Sequence, residues 1–432
     1  MTQGLLSRQA AIRAVRHVLE KNTMLDMVWP LIDGYDALDP RDRAFARSIA
    51  VTSLRRLGQI RKILDECLTQ PFENAPHEVQ AILVTGTAQL VFLKSPPHAV
   101  VSSLMELASG HPQAQRLKKM INAVLRRIDR EGDKMVLKTA PQDNLPDWMR
   151  QSWKTSFGPG RTARIARALT EVPPLDITLR DGEDLNAWAE KLGAEILPGS
   201  SLRLENAGRV TELPGFDEGA WWVQDVAAAL PVRLMRVGEG QSVIDMCAAP
   251  GGKTLQLAAR GARVSAVDLN EKRMGRLHDN LTRTGLSAEA VIADGRTWKP
   301  DERVDAVLLD APCTATGTLR RHPEAAWIKS PQDVRKLSGI QRDLAVASVK
   351  WLKPGGELLV CTCSLQAEEG EALAQHIASN LHALDADPVT PEELPGLENA
   401  LTAEGHVRLT PDLWSERGGM DGFFISRWRK KA

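Results

Sequence analysis

Two cysteines stand where a chain can offer a nucleophile. Cys313 closes the run Asp310-Ala311-Pro312-Cys313 after the apolar stretch 306–309, and Cys363 lies in Cys361-Thr362-Cys363-Ser364 after the apolar stretch 357–361. A proline directly after a buried strand ends its hydrogen-bond ladder and sets the next side chain at the rim of the sheet. Ends of neighbouring parallel strands open on one crevice, so the two thiols can face one ligand. A zinc site is the competing use of Cys313, Cys361 and Cys363. Structural zinc usually takes four ligands at tight turns, and no fourth is evident, so no metal is expected. The five cysteines, Cys67 and Cys247 included, are too few and too unevenly placed for a disulfide framework.

What the thiols could act on depends on the loop Cys247-Ala248-Ala249-Pro250-Gly251-Gly252-Lys253, which follows the apolar residues 243–246. An apolar strand, a small-residue turn and a helix start form a ligand loop in which backbone N–H groups approach closely. The spacing lacks the G-x-G-x-x-G of dinucleotide sites, and a Walker loop would need glycine at position 247, which is cysteine. A nucleoside cofactor without a large phosphate load remains. Asp268, ending the next strand, is placed for ribose hydroxyls, and Asp294, after the third, for an adenine amino group. The bland alternative is that both acids cap the helices that follow. Acids at successive strand ends behind such a loop are the layout of S-adenosylmethionine (SAM) methyltransferases.

Two thiols near a methyl donor have a specific use. Carbon-5 of a pyrimidine is a poor nucleophile. A thiolate that adds to carbon-6 makes the ring enamine-like at carbon-5, and a base must later remove the carbon-5 proton so that the sulfur can leave. Methylation of an exocyclic amine would instead call for an Asn/Asp-Pro-Pro-aromatic sequence where Asp310-Ala311-Pro312-Cys313 stands. Just downstream, Arg320, Arg321 and His322 lie near Trp327, a combination that can hold phosphates and stack bases.

These motifs need a scaffold. From position 242 onward apolar runs alternate with helical patterns, which predicts a parallel sheet covered on both faces. Strands are expected at 243–246, 264–267, 290–292, 306–309 and 357–361, helices at 252–260, 271–284, 331–352 and 366–381, and a closing hairpin from 406–409 and 422–428. Residues 5–135 read as helical throughout, with apolar positions three and four apart and breaks at Pro40, Pro71 and Pro96-Pro97. Between them, 141–235 reads as a small α+β unit containing an alternating strand at 176–180. The expected organisation is therefore multidomain: an all-α domain over 1–140, the linking unit over 141–235 and a Rossmann-like α/β domain over 236–432.

Net charge is zero across 432 residues, yet residues 1–140 carry 20 basic against 14 acidic side chains. The stretch 116–138, with Arg126 and Arg127, holds eight basic residues and three acidic ones. A polyanion partner fits this bias, and so does a solvated helix face. No apolar run reaches the ~20 residues of a membrane span, and arginines interrupt the N-terminal segment, so a cytoplasmic monomer is the plain expectation.

With these residues in view, the chain resembles RNA cytosine-5 methyltransferases of the NOL1/NOP2/Sun family. The carrying motifs are CAAPGGK at 247–253, DAPCTATG at 310–317, RRHP at 320–323, TCS at 362–364 and DGFF at 421–424. Residues 5–135, with Asn122-Ala123-Val124-Leu125-Arg126, are similar to the NusB-like RNA-binding domain of one subgroup. The resemblance implies that Cys363 is the nucleophile, that Cys313 assists resolution, and that Asp310 polarises the cytosine. It implies SAM as cofactor, held by Cys247 to Lys253, Asp268, Arg273, Asp294 and Asp310. It also implies small-subunit ribosomal RNA as substrate, touched by Arg126, Arg127 and the Arg320–His322 segment. Transfer RNA, or an RNA-binding factor that has lost catalysis, are the alternatives. Cys361 departs from the family pattern, which has a small non-thiol residue there, and the stretch after Ser364 is looser than usual.

Overall fold

The computed structural model describes residues 4–205 and 207–432, which divide into two units. The first runs to Glu171 and also holds Leu319–Ser330; the second is Val172–Thr318 with Pro331–Ala432. The helical unit is therefore longer than the 140 residues expected from composition, because the helix Asp147–Ala168 belongs to it.

In the first unit, helices Leu5–Lys21, Pro40–Arg55, Leu57–Cys67, His77–Thr87, Pro97–Ser109 and Lys118–Val136 turn their apolar stripes onto one core. Ile12, Val15, Ile49, Leu64, Ile82, Leu104 and Leu125 are buried there. The helix beginning at Pro40 is started by Asp39, whose carboxylate accepts from the Asp42 N–H at 2.8 Å. Helices 77–87 and 118–136 cross closely at Gly86, where a Cβ would come within 2.5 Å of Leu125. Leu319–Ser330 is anchored into this unit. Arg55 Nη2 donates to the Arg320 carbonyl (2.8 Å), the Leu25 N–H donates to Glu324 (3.2 Å), and the Trp327 indole N–H donates to the Leu54 carbonyl (2.9 Å). The Arg61 guanidinium lies over the Trp327 ring.

The second unit carries two sheets. Strands β1 (Leu175–Leu179), β2 (Glu195–Leu197), β3 (Ser201–Leu204) and β4 (Trp221–Val223) form a small antiparallel sheet in the order β2-β3-β1-β4. The alternation at 176–180 would turn Asp176 and Thr178 toward solvent, but both are buried. For Asp176, Arg203 on β3 makes that possible, because its guanidinium takes the carboxylate through two hydrogen bonds of 2.7 Å. Breaking a buried pair strands the remaining charge. Asp176→Ala is therefore expected to cost about 3–5 kcal/mol, read as a lowered urea midpoint followed by tryptophan fluorescence, whereas exposed Asp301→Ala should leave the midpoint unmoved.

The larger sheet consists of β5 (Ser242–Met246), β6 (Arg263–Asp268), β7 (Glu289–Ile292), β8 (Val304–Asp310), β9 (Leu352–Thr362), β10 (Leu384–Ala386), β11 (Val407–Leu409) and β12 (Phe423–Lys430). Its order is β10-β12-β9-β8-β5-β6-β7, with β5 to β9 parallel and β12 antiparallel to β9. β11 and β10 pair with successive stretches of the same edge of β12. Val243, Ile244, Val307, Leu308, Leu358 and Leu359 are fully buried, as expected of strands covered on both faces. All five parallel strands thus end at one rim, and the motifs at 247–253, 310–317, 362–364 and 421–424 lie on that rim.

Candidate active site

At the end of β5 the chain turns sharply. Cys247 adopts a left-handed conformation (φ 61°), as does Gly251 (φ 107°), and the helix Gly252–Ala259 starts directly afterwards. A side chain at Gly251 would be strained and would press on Leu277. Asp245, buried below this turn, accepts from the Thr254 hydroxyl at 2.6 Å, and burial raises its carboxyl to about 7. Burial likewise pushes the Cys247 thiol well above its ordinary value, so this cysteine shapes the loop as a neutral group.

Asp268 ends β6 beside that turn. One carboxylate oxygen accepts from the Ala249 N–H (3.2 Å) and the other from the Asn270 N–H (2.9 Å), which fixes the group and leaves a lone pair on each oxygen. Arg273 reaches both Asp268 and the Ala249 carbonyl, tying loop to strand end. Register pairs Asp268 with Ile292 on β7. Ile292, at the end of the edge strand β7, is 56% exposed, and Leu269, just after β6, is 68% exposed. A fixed carboxylate with exposed apolar side chains around it has the chemistry an adenosine group requires, hydroxyl acceptors beside an apolar seat for the base. The sequence pattern places Ile292 in an expected strand and does not single out Leu269. Asp294 turns its carboxylate onto Arg296, whose hydrogen bonds hold it down at about 2, an ionised acceptor.

The reacting groups converge at β8 and β9. These strands pair Asp310 with Cys361, and the loops beyond bring the Cys313 and Cys363 sulfurs to 3.5 Å. Lys253 donates to Asp310 at 2.8 Å and lies 5.1 Å from the centre of the Phe423 ring. Burial pulls the Lys253 ammonium down, but Asp310 overrides it and holds the pKa above the ordinary lysine value. The hydrogen bond to Cys363, with burial behind it, raises the Cys313 thiol well above normal. Cys361 is fully buried, donates to Asp310 at 3.4 Å and is also raised by burial. It is a supporting group and not a third exposed nucleophile.

Backbone contacts lock the loops to each other. The Gly317 N–H donates to the Cys363 carbonyl (2.9 Å), and the Gly422 N–H donates to the Gly317 carbonyl (2.8 Å). A Cβ on Gly317 would lie 2.0 Å from the Gly422 oxygen, which accounts for the last glycine of DAPCTATG and the glycine of DGFF together. The helix expected from 366 begins instead at Glu371, because the chain first makes a 3-10 turn over Ala367–Glu369 that buries Glu369.

The residues expected to touch RNA fare unequally. Arg126 is exposed, while Arg127 is half-buried and bonded to Glu131 and to the Glu66 carbonyl. Arg321 and His322 are partly exposed, but Arg320 is only 1% exposed. The expectation that the Arg320 guanidinium meets phosphate is corrected on that ground: the segment's first arginine is an anchor. Among the described residues no cluster of three or more His, Cys, Asp or Glu could hold a metal ion, and no helix is long and apolar enough to cross a membrane.

A parallel sheet with one antiparallel strand, a small-residue loop after its first strand and acids at the ends of the next define a SAM-dependent methyltransferase. Comparison with known proteins narrows the class. Residues 232–429 match the family model described as 16S rRNA methyltransferase RsmB/F, and residues 6–130 match the NusB family. Ribosomal RNA small subunit methyltransferase B of Cronobacter sakazakii is 30% identical, over 100% of both chains. The protein of that name from Klebsiella pneumoniae is 32% identical over 92% of this chain and 96% of its own. The solved structure of PH0851 has the same fold, with a TM-score of 0.77 at 22% identity over 99% of each chain. The chain belongs to the RsmB/F family of 16S rRNA methyltransferases.

Proposed function

We propose that this protein methylates carbon-5 of a cytidine in small-subunit ribosomal RNA through a covalent bond between Cys363 and the base. The observation that carries this reading is the pair of sulfurs 3.5 Å apart beside the Asp310–Lys253 pair, at the rim where the cofactor loop opens.

The cofactor would rest with its ribose on Asp268, its adenine beside Leu269, Ile292 and the Asp294 carboxylate, and the remainder along Cys247 to Lys253. SAM, when bound, supplies an electrophilic methyl group. The chain's own groups do the rest. Cys313, kept protonated by its raised pKa, offers its S–H to the Cys363 sulfur 3.5 Å away. The Cys363 sulfur bonds to carbon-6, and the ring's π electrons become available at carbon-5 for the methyl group. Asp310 accepts from the exocyclic amine of the cytosine, with Lys253 holding that carboxylate in place. Loss of the carbon-5 proton then restores the ring double bond and releases the sulfur. The carbon-5 proton passes to a base in solution at the rim, and the Cys313 S–H, the polar group nearest to the departing sulfur, hydrogen-bonds that sulfur as it leaves.

The target base must leave any stack to reach this rim, at a cost of a few kcal/mol. Phosphate contacts through basic residues such as the exposed Arg126 and the partly exposed Arg321 would help to offset it. The test is bisulfite sequencing of ribosomal and transfer RNA from cells with and without the gene. The expected result is loss of one protected cytosine in the small-subunit RNA. Loss of a transfer RNA site alone would overturn the substrate, and no change in either RNA would overturn the activity.

A further inference from the structure

Neither sulfur of the Cys313–Cys363 pair is held by a covalent or metal bond, yet the two lie in contact. Something must hold two separate loops at that spacing, and the surrounding hydrogen bonds converge on one side chain. Glu369 has no exposed surface. Its carboxylate accepts from the Thr314 N–H at 3.0 and 3.2 Å, from the Thr314 hydroxyl, from the Ser364 hydroxyl at 2.6 Å and from the Gln341 amide at 3.3 Å. Thr314 follows Cys313 and Ser364 follows Cys363. The residues preceding the cysteines are tied to the same place. Gln341 Nε2 also donates to the Pro312 carbonyl at 2.9 Å, and the Thr362 hydroxyl donates to the Glu369 carbonyl at 3.0 Å. Both neighbours of each cysteine are thus bonded to Glu369 directly or through Gln341.

We infer that Glu369 is the positioning residue of the two-cysteine site, the clamp that sets the distance between Cys313 and Cys363. Burying a carboxylate is costly unless it is fully hydrogen-bonded, and a neutral residue could have filled the space. A carboxylate offers several acceptor positions, which matches this set of donors; burial raises the Glu369 carboxyl, and the bonds from Ser364, Thr314 and Gln341 counter that rise. Thr316 extends the clamp: its hydroxyl bonds with Ser364 at 3.1 Å and accepts from the Leu365 N–H at 3.0 Å. Glu369 touches neither substrate nor cofactor in this scheme; it acts through the loops.

The inference rests on the proposed chemistry for its consequence in turnover, but the sulfur spacing can be read independently. An arylarsenoxide bonds two thiols to one arsenic, with loss of water, and binds tightly only where both sulfurs are held close. Wild-type protein should take up phenylarsine oxide in a manner abolished by Cys313→Ala. In Glu369→Gln the amide nitrogen replaces an acceptor with a donor, so the loops should part and the arsenical should bind about 10²-fold more weakly. The same variant should lose about 10²-fold in kcat, because small misplacements of reacting groups cost that much. Its KM for RNA and its Kd for SAM should stay within about twofold. Thr314→Val, which removes one hydroxyl and keeps shape, should lose both arsenical affinity and kcat in the same direction but less, and serves should Glu369→Gln fail to fold. Unchanged arsenical affinity in the folded variants would overturn the clamp, as would a kcat loss matched by equal weakening of SAM binding. Full methylation by Cys363→Ala with the arsenical results as expected would instead overturn the proposed reaction and leave the clamp standing.

Discussion

Cys313→Ala should leave the protein covalently joined to its RNA. In the wild-type site the Cys313 sulfur lies 3.5 Å from the Cys363 sulfur. Replacing it by a methyl group removes the polar group nearest to the departing sulfur but leaves Cys363, Asp310 and Lys253 in place. Addition and methyl transfer should therefore proceed once, while elimination slows. The expected readout is a band of retarded mobility on a denaturing gel, formed with RNA and SAM and abolished by nuclease, with turnover limited to about one methyl group per protein. Free multiple turnover without a retarded band would remove Cys313 from the resolution step. The substitution is a mild one for the fold, since Thr314 and Pro312 keep their bonds to Glu369 and Gln341.

Much of this site could be read from the chain, for a simple reason. The cysteines, Asp268, Asp294 and Asp310 each follow an apolar run, and such runs in a doubly covered parallel sheet all end at one rim. The five parallel strands and the helices between them lie where periodicity places them. Four strands escaped, β2, β3, β4 and β10, because segments of three or four residues such as Leu384-Asp385-Ala386 are too short to show alternation. Asp176 misled for another reason: a partner distant in sequence makes burial of a charged side chain tolerable, and no local pattern announces Arg203.

Glu369 is the sharpest case. It stands in Ala367-Glu368-Glu369-Gly370-Glu371, which reads as a solvated, acidic helix start. Only tertiary structure separates it from Glu368, by burying one carboxylate among hydroxyl and amide donors from three other segments. Arg320 shows the converse. Arg320-Arg321-His322-Pro323 beside a tryptophan reads as a phosphate-binding patch, yet the carbonyl of Arg320 and the indole of Trp327 bond into the helical unit. Basic composition reports charge, not the direction in which a side chain leaves the backbone. Leu269 and Ile292 were hidden the same way, since apolar residues at strand ends resemble core until their exposure is known.

Cys363→Ala is expected to abolish methyl transfer, with a loss of at least about 10⁴-fold in kcat and little change in SAM affinity. Without addition at carbon-6, carbon-5 keeps its aromatic character and cannot attack a methyl group, however well the donor is placed. No neighbouring thiol can take over. Cys361, two residues earlier, is fully buried with its S–H on Asp310, and burial keeps it protonated. Cys313 lies on the other strand end, and its own pKa is raised well above normal. The measurement is transfer of labelled methyl from SAM to small-subunit RNA, with SAM binding followed separately by calorimetry. Loss of transfer with binding retained assigns the nucleophile to Cys363. Transfer retained in Cys363→Ala but lost in Cys313→Ala would reverse the roles, making the cysteine after Asp310-Ala311-Pro312 the one that adds to the base.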